Sequence, residues 1–187
     1  NNQIEDIQVL DSTIRDCTQD AIDVTGARDV VYRNNKITNS WTMQIKGGTE
    51  NILIEQNHIH NVRKGLNGAG MGGVNLGSPV IFTLPMDERF VAKDVVIRNN
   101  VIHGVEYWTT FGARGWQSVA IHHNTIYQAA NNLLVLEPAG FNMDDPIAAA
   151  YCETNPCDPC SNNQPDCWRV EFQARDVHFK NNIVHSP

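Results

Sequence analysis

The chain has 187 residues, of which 41% are hydrophobic, so it is long enough to form one domain with a sizeable core. Its 21 acidic residues outnumber its 14 lysines and arginines, and the formal net charge of -7 argues against a nucleic-acid partner. No apolar run is long enough to cross a bilayer as a helix, so no membrane partner is predicted. The chain begins without Met or a signal-peptide pattern and ends on a repeat unit, so we expect a fragment or a trimmed chain.

Six segments in chain order repeat nearly the same eleven residues, and the clearest copy reads DVVIRNNVIHG. The copies begin at Asp6, Asp29, Asn51, Asp94, Ser118 and Asp176. Their central polar residues are Ser12, Asn35, Asn57, Asn100, Asn124 and Asn182, so the steps are 23, 22, 43, 24 and 58 residues. Three steps lie close to 23, and each of the other two corresponds to one such period plus an insertion.

Apolar residues two positions apart, such as Val95 and Ile97, predict a β-strand in each copy. The central Asn suits a turn, and its amide can bond to the same amide one coil away, so we expect an Asn ladder. Second strands are predicted at 21–24, 42–48, 72–78, 109–115 and 132–138. The prediction is therefore an all-β solenoid of five to six coils, whose parallel strands stack at about 4.8 Å.

The DVVIRNNVIHG copies, each followed by a strand such as GGVNLGS, resemble the right-handed parallel β-helix repeats of the pectin-lyase-like superfamily. The resemblance implies a single β-helix domain over 1–187, a secreted protein in the extracellular space or the periplasm, and a binding groove along the sheet of second strands. Calcium is common among such proteins, but no Asp-rich loop marks a calcium site, and we identify no cofactor or metal site.

Two insertions are predicted, at about 62–93 and 137–175. The first is rich in Gly, and it either forms part of a binding face or covers the solenoid wall. The second contains four of the five cysteines, which are Cys152, Cys157, Cys160 and Cys167. In an exported protein two disulfides are favoured over a zinc site, although the sequence does not select the pairing.

Alternation along the second strands points Ile22, Val24, Met43 and Ile45 inward, and it points the residues between and beside them, such as Thr42, into the implied groove. In the fourth coil, Thr110 is predicted to face the same groove. Lys46 and Arg114 are the predicted catalytic residues, Lys46 as a base and Arg114 as a carboxylate-binding cation. The predicted substrate-binding residues are Asp23, Gln44, Asn75, Trp108, Trp116 and Glu137. The two tryptophans are included as platforms for sugar rings. Asp23 and Glu137 would be a hydrolytic pair, but they lie too many coils apart.

All seven histidines fall inside the repeats. His60, His103 and His185 each lie three residues after the central Asn, so we predict an outer stacked ladder in preference to a metal site.

The leading hypothesis is a carbohydrate-active protein that cleaves an acidic polysaccharide by β-elimination. The alternative is a non-catalytic extracellular solenoid, either glycan-binding, adhesin-like or part of an assembly, and a glycoside hydrolase or epimerase is the second alternative. Open ends of the solenoid would also permit self-association.

Overall fold

The computed structural model describes residues 4–68, 90–106, 109–113, 115–128, 132–136 and 174–185. Within these ranges the chain forms seventeen strands in three parallel sheets and no α-helix. Accordingly, these ranges contain no helix of the length and apolarity needed to cross a membrane. The predicted all-β solenoid of parallel strands is confirmed.

Each of the first five coils contributes one strand to each of the three sheets in turn, and the described part of the sixth coil contributes to sheets A and B. Sheet A contains β1 (Ile4–Leu10), β4 (Ala27–Arg33), β7 (Thr49–Glu55), β10 (Ala92–Arg98), β13 (Trp116–His122) and β16 (Arg175–Lys180). Sheet B contains β2 (Thr13–Arg15), β5 (Lys36–Thr38), β8 (His58–Val62), β11 (Val101–Val105), β14 (Thr125–Tyr127) and β17 (Ile183–His185). Sheet C contains β3 (Asp20–Thr25), β6 (Trp41–Lys46), β9 (Lys64–Gly68), β12 (Thr109–Gly112) and β15 (Asn132–Val135).

The core lies inside the coils, where equivalent apolar side chains stack on one another. Ile97 pairs in register with Ile54 of the coil before and with Ile121 of the coil after, and all three are fully buried. Burying one such side chain contributes about 1.5–3 kcal/mol. This column continues through Tyr32 and Val9 on one side and through Phe179 on the other, so the repeat encodes a column of packed apolar residues that every coil extends.

The corner between sheets A and B holds the predicted Asn ladder, which the structure confirms. Each Asn Nδ2 donates to the Oδ1 of the next Asn, at 3.0, 3.0, 2.9 and 3.0 Å from Asn35 through Asn57, Asn100 and Asn124 to Asn182. The same Nδ2 also reaches a backbone carbonyl one coil earlier, as Asn57 reaches that of Tyr32 at 3.0 Å. The ladder thus satisfies polar groups that the tight corner would otherwise bury unpaired.

Three equivalent positions have positive φ in each of the first five coils, and two of them do in the described part of the sixth, which explains many of the Asn and Asp residues of the repeat. In the third coil they are Asn51 (φ 58), Gln56 (φ 57) and Asn61 (φ 52). Asn and Asp tolerate this left-handed conformation, whereas β-branched residues avoid it. In the fourth coil Gly104 has φ 62, and a Cβ placed on it would lie 2.7 Å from Asn61 Oδ1.

The third coil differs from the prediction in its sheet C strand. The structure uses β9, which pairs with β6 and β12, whereas the predicted strand 72–78 lies outside the described residues. Because β9 follows β8 after a single residue, the coil closes within its normal period. Strand residues therefore occupy both ends of the predicted insertion 62–93, through β8, β9 and β10. Most of the insertion 137–175 lies outside the described residues.

Candidate functional site

Three of the predicted site residues meet on the outer surface of sheet C, the side that faces away from the coil interior. Lys46 Nζ donates to Asp23 Oδ2 at 2.9 Å and to Gln44 Oε1 at 2.7 Å. The Lys46 side chain is only 14% exposed, whereas that of Asp23 is 46% exposed. We call Asp23, Gln44 and Lys46 the polar cluster of sheet C.

Strand alternation and register together create this cluster. Met43 and Ile45 are buried in the core, so Gln44 and Lys46 point the other way. Asp23 is the direct partner of Gln44 across the β3–β6 pair, which brings its carboxylate beside the Lys46 ammonium. The three residues therefore converge because two adjacent coils carry them at matching positions.

The contacts of Lys46 favour one chemical role over another. Its ammonium is the cation of a salt bridge and also donates to an amide oxygen. A carboxylate on a bound ligand would replace Asp23 without leaving the cation unpaired. The arrangement thus suits Lys46 as a carboxylate-binding cation, and the predicted role of Lys46 as a base stays a prediction.

Trp116 is not a sugar platform, and that prediction was wrong. It is fully buried in β13 of sheet A, directly across from Ala92, which itself pairs with Thr49. The small side chains in this column leave interior space that the indole ring fills. Trp116 is therefore a core residue.

Two threonines predicted to face the groove, Thr42 and Thr110, are also buried. They neighbour the inward-facing Met43 and Phe111, so alternation assigns them to the outer side. The outer surface of sheet C is consequently closed to solvent at these two positions, and the polar cluster lies toward the other end of the strands. Arg114, Asn75, Trp108, Glu137 and the four clustered cysteines lie outside the described residues.

A second cluster, on the outer surface of sheet B, was only partly anticipated. His60 and His103 stack with ring centroids 5.2 Å apart, and His103 stacks on Tyr127 at 4.3 Å. Tyr127 separates His103 from His185 in the register of the sheet. The predicted histidine ladder therefore holds for His60 and His103, with a tyrosine in the next coil.

His58 joins this cluster from the neighbouring column. Its Nε2 lies 3.0 Å from His103 Nε2, so one ring donates a hydrogen bond to the other. Burial lowers the pKa of His60, and the nearby charges of His58 and Lys36 lower it further. Burial, followed by the charges of His58 and His60, lowers the pKa of His103 in the same way. We call His58, His60 and His103 the histidine cluster of sheet B.

The outer surface of sheet A carries charges that are paired between coils. Arg33 Nε and Arg98 Nε donate to the two oxygens of Glu55 at 2.7 and 2.8 Å. Burial raises the pKa of Glu55, but the hydrogen bonds and charges of Arg98 and Arg33 outweigh burial and hold that pKa below its ordinary value. These residues therefore bind one coil to the next, which is a structural role.

Comparison with known families gives one result. Residues 1–145 match a family model described as a right handed beta helix region. The chain belongs to the right-handed β-helix family. This agrees with the resemblance to the pectin-lyase-like superfamily and with the stacked sheets described above. Neither the search of curated proteins nor the search of solved structures found a match.

Membership of this family fits a carbohydrate-active protein or a solenoid with a binding role, because the fold carries many functions. The site itself must therefore supply the argument for function. In the described part of the chain, no group of three or more His, Cys, Asp or Glu residues is arranged to hold a metal ion.

Proposed function

We propose that this right-handed β-helix protein is carbohydrate-active, that it binds an acidic polysaccharide on the outer surface of sheet C, and that it cleaves the polymer by β-elimination. The observation that supports this proposal is the contact of Lys46 with both Asp23 and Gln44. It provides a positioned cation beside an amide and a partly exposed carboxylate, which is a suitable set of groups for a uronate and its hydroxyls. An exported protein would meet such a polymer outside the cell.

In β-elimination a base removes the proton α to the uronate carboxylate, and the glycosidic oxygen on the adjacent carbon leaves. Negative charge accumulates on the carboxylate in the transition state, and a nearby cation stabilises it. Lys46 would hold this carboxylate after exchanging Asp23 for the substrate. Arg114 is the second cation of the predicted site, and its guanidinium group would suit a bidentate contact with the uronate carboxylate.

The test is incubation with pectic, alginate and glycosaminoglycan polymers, followed by measurement of unsaturated-uronate absorbance and of new reducing ends. A rise in both would identify a lyase and its polymer. New reducing ends alone would favour hydrolysis and the carboxylates Asp23 and Glu137, while altered uronate composition without cleavage would favour an epimerase. No change with any polymer, from folded protein, would contradict an enzymatic role.

Variants of Lys46 separate its two candidate roles. If Lys46 is the carboxylate-binding cation, Lys46→Arg should keep much of the activity, whereas Lys46→Ala should lose about 100-fold or more. If Lys46 is the base, both variants should be inactive, because a guanidinium is not deprotonated at neutral pH. Lys36→Ala removes an exposed cation from sheet B and is the matched control.

The second candidate is a non-catalytic glycan-binding or assembly solenoid. It is favoured by the existing salt bridge of Lys46 and by the burial of Thr42 and Thr110 on the same surface. This candidate predicts that the protein retains an acidic polymer in affinity electrophoresis without releasing any product. Retention lost in Lys46→Ala would assign that binding to the polar cluster of sheet C.

A further inference from the structure

The histidine cluster of sheet B lies at the junction between the third and fourth coils. Strands β8 and β11 pair directly, so His60 is in register with His103, and His58 is in register with Val101. The central Asn residues of these two coils are 43 positions apart in the sequence, because residues 69–91 intervene between β9 and β10. The contact between His58 and His103 therefore joins two coils whose strands pair directly but which are linked by a long stretch of chain.

The distance between the two Nε2 atoms, 3.0 Å, is the decisive observation. Bonds from an imidazole nitrogen to a divalent transition metal are about 2.0–2.1 Å long. If both nitrogens bind one metal ion and stay 3.0 Å apart, the N–metal–N angle is roughly 90°. That angle fits square-planar or octahedral coordination, which Cu²⁺ and Ni²⁺ favour, better than the tetrahedral sites of Zn²⁺.

The neighbours of the pair hold one ligand in place and keep it in the form that binds metal. His103 lies between the stacked rings of His60 and Tyr127, which restrict its orientation. Thr38 Oγ1 lies 3.5 Å from His60 Nδ1 and helps to orient that ring in turn. The lowered pKa of His103 favours the neutral imidazole at neutral pH, which is the ligand form.

We propose that Nε2 of His58 and Nε2 of His103 form a two-histidine site for a divalent metal with right-angle coordination, of the Cu²⁺ or Ni²⁺ class. The buried Nε2 of His60 has no partner among the described residues and is closed to solvent, so it is not a third ligand. Water would fill the remaining positions, because the described part of the chain places no group of three or more His, Cys, Asp or Glu residues around a metal ion. The bound metal clips the third coil to the fourth, and this role is independent of the polysaccharide function.

Thermal unfolding with and without Ni²⁺, at pH 7.5 in a non-chelating buffer, tests this site. A metal that binds only the folded protein should raise the Tm by roughly 5–10 °C at a hundred times its Kd. The rise should disappear in His58→Gln and in His103→Gln, because a single imidazole does not chelate. The comparison is made within each variant, so a loss of stability from the substitution itself does not affect it.

His185→Gln is the matched control, since it removes a histidine from the same sheet B column two coils beyond His103, and it should keep the full metal-dependent rise. Near-ultraviolet charge-transfer absorption would reveal Ni²⁺ held by cysteine thiolates, whereas imidazole ligation lacks this band. The proposal is overturned if Ni²⁺ does not raise the Tm of the wild type, or if the rise persists in His58→Gln.

Discussion

The Asn corner and the outer surface of sheet C are built from the same coils but follow opposite rules. At the corner, Asn35, Asn57, Asn100, Asn124 and Asn182 repeat one residue and one set of hydrogen bonds. On sheet C the register position of Gln44 is occupied by Asp23, Gln44, Asn67, Gly112 and Val135, a different residue in every coil. A residue that is the same in every coil indicates a structural requirement for stacking one coil on the next. A residue that changes from coil to coil is free to form a site.

The largest expected effect comes from breaking the Asn ladder in its middle. In Asn100→Leu the backbone N–H and side-chain amide of Asn57, both of which now donate to Asn100 Oδ1, lose their buried acceptor. The carbonyl of Ile54 also loses a donor. We expect a loss of about 3–5 kcal/mol in the free energy of unfolding, measured by urea titration.

Ser12→Ala is the control for this prediction. Ser12 occupies the equivalent position in the first coil, where its hydroxyl donates to the carbonyl of Leu10 in an exposed setting. Its backbone N–H, which donates to Asn35 Oδ1, is retained in the variant. A change below about 1 kcal/mol is expected, and equal losses at both positions would contradict the ladder as the reason for the repeat.

Gly104→Ala should have the next largest effect. The residue has positive φ, and the added Cβ would approach Asn61 Oδ1 to 2.7 Å, so the corner between sheets B and C must shift. We expect a loss of about 1–3 kcal/mol in unfolding free energy. Adding Asn61→Ala removes the steric contact but not the unfavourable φ, so the double variant should show less loss than the two single changes summed.

The histidine cluster of sheet B predicts a smaller, pH-dependent effect. His60 and His103 have pKa values that are lowered in the folded protein, so the unfolded chain takes up protons first as the pH falls. The associated stability is fully present above the unfolded pKa of about 6.5 and is lost as the pH falls from there through the folded pKa. Lys36 and His58 contribute to these shifts, and Tyr127 and His185 lie on the same surface.

Urea midpoints at pH 7.5 and pH 5.5 measure this effect. The urea midpoint should be lower at pH 5.5 than at pH 7.5, and the decrease should be smaller in His103→Gln, which removes one of the two groups of this cluster with a lowered pKa. His122, whose pKa burial also lowers, is present in both proteins. His178→Gln is the control, because it removes an exposed histidine that is paired with Asp176 on sheet A. A fall of the same size in wild type and His103→Gln would show that other groups dominate the acid response.

The sequence was informative where a feature repeats and uninformative where the fold depends on one coil. The period predicted the Asn ladder, and alternation predicted that Gln44 and Lys46 share a surface. The burial of Trp116 could not be predicted, because it depends on the interior space left beside Ala92 and Thr49. The contact between His58 and His103 was missed for another reason: the period predicted stacking of equivalent positions such as His60 and His103, whereas His58 is in register with Val101 and reaches His103 from a different column.

The same contrast explains why strand β9 was missed. Its residues, Lys64–Gly68, contain a single large apolar residue, Leu66, which pairs with Met43 and Phe111 in neighbouring coils. The segment 72–78 has the better alternating pattern and was preferred on local sequence. Closure of the coil after the corner at Asn61, which local sequence does not report, selects the nearer segment.

The smallest effect on stability, with the largest consequence for function, is expected on sheet C. Asp23→Asn removes the anionic partner of Lys46 but keeps the shape of the side chain, and a partly exposed ion pair is worth only about 0.2–1 kcal/mol. The released ammonium should bind an acidic polymer more tightly, by roughly 3–10-fold, as measured by affinity electrophoresis at low salt. If Asp23→Asn instead destabilises the protein as strongly as Asn100→Leu and leaves polymer binding unchanged, the polar cluster of sheet C is part of the scaffold, and the function must be sought on another surface.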